Sequence, residues 1–296
     1  MNLDRRNFFK YIAVIGAGTL ITRVGLDLNT MEQYAEINGN LLADLHVHHK
    51  RSTKLEDKLA TCSQGINGIT SFMDVNIFHD YHDFAGMPGV REIDLGIYAK
   101  VDYNGQSGYI LRTQEIQGIY PKLHILSVGV RDRIEDNQDP RRIVEEIHKR
   151  NGVAILNHPY VVPSDDLFRY RLLDADEEKV MLEVLKMVDE VEVNNGQCIN
   201  LFFGMQLGIF GRVNMKKANK KAENLLDYVQ CVIKGMIGTA ASDAKHISQV
   251  RSSGIWIPIN YTESIDGIKY CIRSKEFKRQ NGVVSIPSFV SGHFGH

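Results

Sequence analysis

The stretch Leu41–Lys54, "LLADLHVHHKRSTK", decides the reading of this chain. Leu41, Leu42 and Leu45 suit a buried strand, yet the strand runs into His46, His48 and His49, imidazoles where a packed core takes methyl groups. The two-residue period of a strand puts His46 and His48 on one face. A bound metal explains nitrogen ligands placed that way, although an H-x-H pair standing alone is often structural or superficial.

Beyond this stretch, short apolar runs alternate with helical patterns. "GITSFMDV", "GVREIDLG", "LHILSVGV", "GVAILNHP", "DEVEVNNG", "IGTAASD" and "SGIWIPI" read as strands. Between them lie well-punctuated helices. In "DPRRIVEEIHKRNG" Asp139 is the expected N-cap, Pro140 fills the first turn and Gly152 closes the end. Further helices are expected over 174–188 and 215–234, and "YAKVDYNGQSGYILRT" reads as a hairpin turning at Asn104-Gly105. Strands interleaved with helices imply an α/β fold with a mostly parallel sheet.

The polar residues turn this pattern toward chemistry. His46, His48, Asp74, Glu92, His158, Glu192 and Asp243 all fall at or near downstream ends of expected strands, where parallel α/β barrels gather their active sites, and only His124 comes early in its strand. A purely structural role would desolvate many ionisable groups at one rim, at several kcal/mol each unless they are paired or metal-bound.

Taken together, the motifs resemble the PHP family, the metallohydrolases named after the polymerase and histidinol phosphatase domains. The matching segments are "DLHVH" with His46 and His48, "GVREID" with Glu92, "LHILSVG" with His124, "ILNHP" with His158, "VEVNNG" with Glu192 and Asn194, and "AASDAKH" with Asp243, all in family order. "SIDGIKYCIRSKEFK" looks like the helix that follows the last strand. The resemblance implies a distorted (β/α)7 TIM-like barrel over residues 36–296. It also implies one metal on His46, His48, Glu92 and Asp243, and a second on Glu92, His124 and His158, with Glu92 bridging. Imidazole and carboxylate suit zinc, manganese or iron, and a hydroxide between two such ions would attack phosphorus or a carbonyl.

Relatives with a third metal carry histidines where this chain has Lys54, Val75 and Lys245. All three replacements belong to one site, so two divalent ions are expected, with His79, His82 and the out-of-register His246 as the only nearby substitutes. Lys54 and Lys245 become candidates for gripping an anionic substrate, joined by Arg131 and Asn194 as substrate-binding candidates. Lys54, Lys245, His246 and Asp74 are also catalytic candidates, Asp74 as a residue that orients a ligand histidine.

The N-terminus is a separate object. "DRRNFFKYIAVIGAGTLITRVG" pairs Arg5-Arg6 with a modest apolar run, and so resembles a twin-arginine export signal over residues 1–28; a buried N-terminal helix is the plainer alternative. The run is too short to span a bilayer comfortably. Export would involve the twin-arginine translocase and a periplasmic or other extracytoplasmic location, with membrane contact only if the signal stays uncleaved. Loss of residues 1–28 removes four basic and two acidic residues and takes the net charge from -1 to about -3.

That charge leaves no electrostatic footprint for nucleic acid, and no stable nucleic-acid complex is expected. Four widely spaced cysteines among 296 residues indicate neither a disulfide framework nor a zinc ribbon, and buried free thiols are the expected state. Two classes of function stand open. One is an exported metal-dependent hydrolase, a phosphoesterase first and a carboxylic or carbamic ester hydrolase second. The other is a noncatalytic metal- or anion-binding module.

Overall fold

The computed structural model describes residues 35–72, 77–163, 170–196, 215–232, 235–245 and 247–282. The expected export signal over 1–28, Asp74, Val75 and His246 lie outside these residues. Within them the chain forms β1 (Glu36–Ile37), β2 (Asn40–Asp44), α1 (Leu55–Cys62), β3 (Gly65–Ser71), α2 (Tyr81–Ala85), β4 (Val90–Asp94), β5 (Tyr98–Tyr103), β6 (Gln106–Gln117) and β7 (His124–Val128). These are followed by α3 (Pro140–Lys149), β8 (Val153–Asn157), β9 (Val161–Pro163), β10 (Tyr170–Leu172), α4 (Ala175–Leu185), β11 (Glu190–Asn195), α5 (Met215–Val232), β12 (Thr239–Ala241), β13 (Gly254–Pro258), α6 (Ile265–Ser274) and β14 (Lys278–Gln280).

Local chemistry accounts for many boundaries. Asp139 caps α3 by accepting from the Arg141 N–H, with Pro140 in the first turn. Asp174 and Glu177 form a reciprocal capping box on α4, and Ser264 caps α6 through the Gly267 N–H. Asn104 and Gly105 both take positive φ, 51° and 77°, the geometry of a tight two-residue hairpin between β5 and β6.

The fold is mixed α/β, with one sheet curled into a nearly closed barrel in the order β12-β11-β8-β7-β6-β3-β2-β13-β14. Past their ends, β2 and β12 are bridged to each other, where Val47 pairs with Ala244 in parallel and the His48 N–H reaches the Ala244 carbonyl at 2.7 Å. The sheet is less parallel than the alternation of elements implies. β7 runs antiparallel to both β6 and β8, and β13 runs antiparallel to β2 and β14. β4 is outside the barrel path and, among the described residues, pairs only with β5.

Two apolar layers cover the outer face of the sheet. Leu59, Phe84, Ile69 and Ile110 join α1 and α2 to β3 and β6, while Ile143, Ile147, Val184 and Leu226 join α3, α4 and α5 to β6–β8 and β11. Inside, Leu111, Leu126, Val128, Ile155 and Ile255 pack with Ile265 and Ile268 of α6. α6 lies at the end of the barrel remote from His124: Gly129, just past the last residue of β7, sits so close to Ile265 that a Cβ there would approach its Cγ1 to 2.9 Å. Cys62 and Cys271 are buried free thiols.

Candidate metal centre

The open end of the barrel gathers its polar residues from strands that are far apart in sequence. His46 and His48 leave β2, Glu115 is near the end of β6, His124 opens β7, His158 follows β8, Glu192 is on β11 and Asp243 follows β12. His124 is not an exception to the rim. Because β7 runs against its neighbours, its first residue lies where β6 and β8 finish, and His124 faces Gln117 on one side and Asn157 on the other.

Two groups of potential ligands converge there, His46, His48 and Asp243 in one and Glu115, His124 and His158 in the other. Glu115 joins them. Its Oε1 lies 2.9 Å from His124 Nδ1 and 3.3 Å from both His158 Nε2 and His46 Nε2, while its Oε2 lies 3.2 Å from His48 Nε2. Asp243 Oδ1 sits 3.6 Å from His46 Nε2 and 3.5 Å from His48 Nε2, and those two nitrogens face each other at 3.1 Å. Ligand atoms about 2.0–2.2 Å from one tetrahedral ion stand roughly 3.3–3.6 Å apart, which is the scale of these separations.

The donor chemistry fits a metal. Asn157 Nδ2 also approaches Glu115 Oε1, at 3.2 Å, so four nitrogens crowd an oxygen that has about two lone pairs. Hydrogen bonding alone cannot satisfy that arrangement. Behind the cluster, three histidines have an oxygen acceptor for the outer ring nitrogen: His46 Nδ1 meets Glu192 Oε1 at 3.4 Å, His124 Nε2 meets Gln117 Oε1 at 3.3 Å, and His158 Nδ1 meets the Val161 carbonyl at 3.2 Å. A proton held on each outer nitrogen leaves a lone pair on the inner one, the tautomer a metal ligand needs. The outer nitrogen of His48, Nδ1, is buried with no partner among the described residues.

Electrostatics point the same way. Burial would raise the pKa of Glu115, but His124 and His46 hold it well below the carboxylate range. Burial would likewise raise Asp243, and Lys245, His46 and His48 keep it low. His46 is disfavoured as a cation by burial, yet Glu115 and Asp243 lift its pKa well above the ordinary value. Burial and the Lys245 ammonium push His48 down to about 4. The cluster is a buried anionic pocket that attracts a cation from each neighbour able to supply one.

The surroundings hold this geometry under strain. His158 and Asp243 take positive φ, 26° and 52°, which non-glycine residues adopt only where the structure enforces it. The His158 N–H donates to Glu192 Oε2 at 2.8 Å. Next to Asp243, the buried Asp44 carboxylate accepts from the Ser242 N–H at 3.0 Å, the Ser242 hydroxyl at 2.5 Å and the Arg251 N–H at 2.8 Å, bolting the loop after β12 to β2.

The expected residues divide. His46, His48, His124, His158 and Asp243 come together, and Lys245 Nζ reaches the Asp243 carboxylate. Glu92 does not join them. On β4, away from the barrel, its Oε1 accepts from the Gly96 N–H at 2.7 Å and the Tyr81 hydroxyl at 3.4 Å, and Glu115 stands between the two ligand groups instead. Asn194 also misses: its Oδ1 accepts from the Ser253 hydroxyl and the Gly282 N–H, at 2.8 and 3.1 Å. A register shift between Glu192 and Asn194 turns the next residue inward, so Asn195 Nδ2 reaches Glu192 at 3.1 Å and Asp243 at 3.4 Å.

Lys54 is exposed at the start of α1, and Arg131 lines a separate cavity that also contains Glu92. His79 bonds Asp83 at 3.0 Å and His82 faces Arg112 at 3.1 Å, both outside the cluster. Glu115 was legible in principle. "QSGYILRTQEIQ" is one unbroken strand in which Leu111, Thr113 and Glu115 share a face, so its alternation puts a carboxylate among the inward-facing residues near the strand's end.

No family model and no curated protein sequence matches the chain. Among solved structures, PsfC from Pseudomonas syringae PB-5123 aligns with 86% of this chain and 96% of its own at 13% identity, with a TM-score of 0.51. A likeness at that identity concerns the fold. The lesion-specific endonuclease PfuEndoQ from Pyrococcus furiosus aligns with 81% of this chain and 57% of its own, at 12% identity and a TM-score of 0.48. A two-domain protein from Bacteroides vulgatus, described as containing a predicted PHP-like metal-dependent phosphoesterase, aligns over 83% and 67% at 12% identity and a TM-score of 0.42.

Proposed function

We propose that the chain is a metal-dependent hydrolase that cleaves phosphate esters. One divalent ion would be held by His46, His48 and Asp243, a second by His124 and His158, with Glu115 serving both. The observation that carries this reading is the convergence of four imidazoles on the two oxygens of one buried carboxylate. When bound, such a pair of ions supplies Lewis acidity to a phosphoryl oxygen and makes water a competent nucleophile near neutral pH.

The chain's own residues supply the rest. Glu192, Gln117 and the Val161 carbonyl fix the ring orientations of His46, His124 and His158. Lys245, whose ammonium is paired with Asp243, would hold an anionic oxygen of the substrate as a point charge. The proposal extends to location: residues 1–28 direct the protein out of the cytoplasm by the twin-arginine route.

The test is turnover by protein stripped with chelator and reloaded with manganese or zinc, using p-nitrophenyl phosphate, bis-p-nitrophenyl phosphate and p-nitrophenyl acetate. Metal-dependent release from the phosphate esters supports the proposal. Release from the acetate alone makes the chain a carboxylic ester hydrolase, and no release by fully loaded protein makes it a binding module.

A further inference from the structure

β6 changes partners at Arg112. Residues up to Leu111 pair with β5 and residues from Thr113 pair with β7. At the exchange, the Arg112 N–H donates to the Ile97 carbonyl at 2.7 Å and its own carbonyl accepts from the Gly129 N–H at 3.3 Å. The two neighbouring chains turn off the sheet there, one through Leu95-Gly96 and the other through Gly129 to Arg133. The space between them is a cavity of about 450 Å³.

This cavity and the metal centre lie on opposite faces of β6. Leu111 packs in the barrel interior and Glu115 belongs to the cluster, so the pleat places Thr113 with them. The intervening side chains point outward: Ile110 packs with Leu59 and Phe84 beneath the helices, and Arg112 enters the cavity beside His82 and Ala85.

Three guanidinium groups, Arg112, Arg131 and Arg133, share the cavity with two carboxylates, Glu92 and Asp132. Glu92 is already engaged by the Gly96 N–H and the Tyr81 hydroxyl. Arg112 is held in place by His82 Nε2 at 3.1 Å and Asp80 at 3.5 Å, and Arg133 reaches Asp136 at 3.2 Å. Arg131 Nε donates to the Leu95 carbonyl at 3.0 Å, and its two terminal nitrogens have no acceptor among the described residues. A planar fork that always carries charge and is fixed at one corner is suited to a phosphate or carboxylate oxygen pair. Leu95, 69% exposed, adds an apolar wall, and the cavity exceeds the needs of a bare ion.

We propose that this cavity is a second anion site, independent of the metal centre, that takes a phosphate monoester: the phosphate on Arg131 and Arg112, the organic part against Leu95. It does not depend on the proposed hydrolase activity.

The test uses the full chain stripped of metal with chelator, so that neither ligation at the cluster nor turnover contributes, and isothermal titration with glycerol 3-phosphate, inorganic phosphate and citrate. Saturable binding of glycerol 3-phosphate, one per chain and tighter than the other two, is expected. Arg131→Gln and Arg112→Gln are each expected to weaken it by about tenfold, the loss of one charge-assisted contact, while Glu115→Gln binds as the parent does. Arg131 is exposed, so its variant keeps the parent's thermal unfolding and any loss is a loss of contact. Absence of saturable binding overturns the proposal, as does binding lost in Glu115→Gln but kept in Arg131→Gln. Citrate or inorganic phosphate binding as tightly as glycerol 3-phosphate overturns the assignment to a phosphate monoester.

Discussion

Glu115 and His124 are diagonal neighbours across the antiparallel pair of β6 and β7: Gln117 faces His124, Glu115 faces Leu126, and Glu115 Oε1 meets His124 Nδ1 at 2.9 Å. The diagonal is what lets one carboxylate serve both ligand groups, since β6 also borders β3 and thereby approaches the strand that leads to His46 and His48.

The two glutamates can be told apart by metal content. Glu115→Gln removes the charge shared by both groups and is expected to lower bound metal below one ion per chain and phosphate-ester turnover by about a hundredfold or more, as loss of a ligand does. Glu92→Gln should retain the parent's metal content. Elemental analysis of both variants, loaded and dialysed identically, checks the assignment, and loss of metal in Glu92→Gln alone would reverse it.

Lys245 would compete with a metal for Asp243, because an ammonium that keeps its proton occupies the carboxylate without ligating a cation. Lys245→Met is therefore expected to bind the first divalent ion about tenfold more tightly in a competition titration. It should still hold two ions while hydrolysing phosphate esters more slowly. Weaker metal binding in this variant would count against competition.

Asp44 is a fastening for Asp243. Asp44→Asn keeps the shape but turns one of its two acceptor positions into a donor, leaving either the Ser242 N–H or the Arg251 N–H unmet; the expected loss is about 1–3 kcal/mol of stability. Thermal melts of metal-free protein measure this. A loosened Asp243 should also raise the dissociation constant for the first metal.

The pH dependence of the metal-free chain follows from His48. Its folded pKa, about 4, lies below the ordinary 6.5, so between those values the unfolded chain binds more protons and stability rises with pH. The contribution is present above about pH 6.5 and is lost as pH falls toward 4. The stability difference between parent and His48→Asn, from denaturant unfolding at a series of pH values, should grow by on the order of 2–3 kcal/mol across that window. A flat difference would show that His48 is not buried as a neutral ring.

Export is testable without the enzyme. A reporter fused after residue 28 should leave the cytoplasm, and replacing Arg5 and Arg6 with Lys should retain it there. Unchanged export of the variant would remove the twin-arginine reading.

What the sequence by itself determined is what local pattern can encode. The Asp139 cap, the Asn104-Gly105 turn and the alternation of apolar runs with amphipathic helices act over a few residues, and each appears in the fold where those signals stand. His46, His48, His124, His158 and Asp243 were named together through the ordered motifs that carry them, and the fold brings their side chains to one place. Tertiary structure decided the rest through pairings between distant strands. Antiparallel insertion of β7 brought His124 to the rim from the start of its strand. Continuation of β6 past the hairpin delivered Glu115, while β4, paired with β5 off the barrel path, carried Glu92 away from the cluster. A single register shift in β11 exchanged Asn194 for Asn195. Side chains alternate faces along a strand, so one residue of slip or one exchange of neighbours moves a group from the metal centre to the other side of the sheet, and no short-range signal records which occurs.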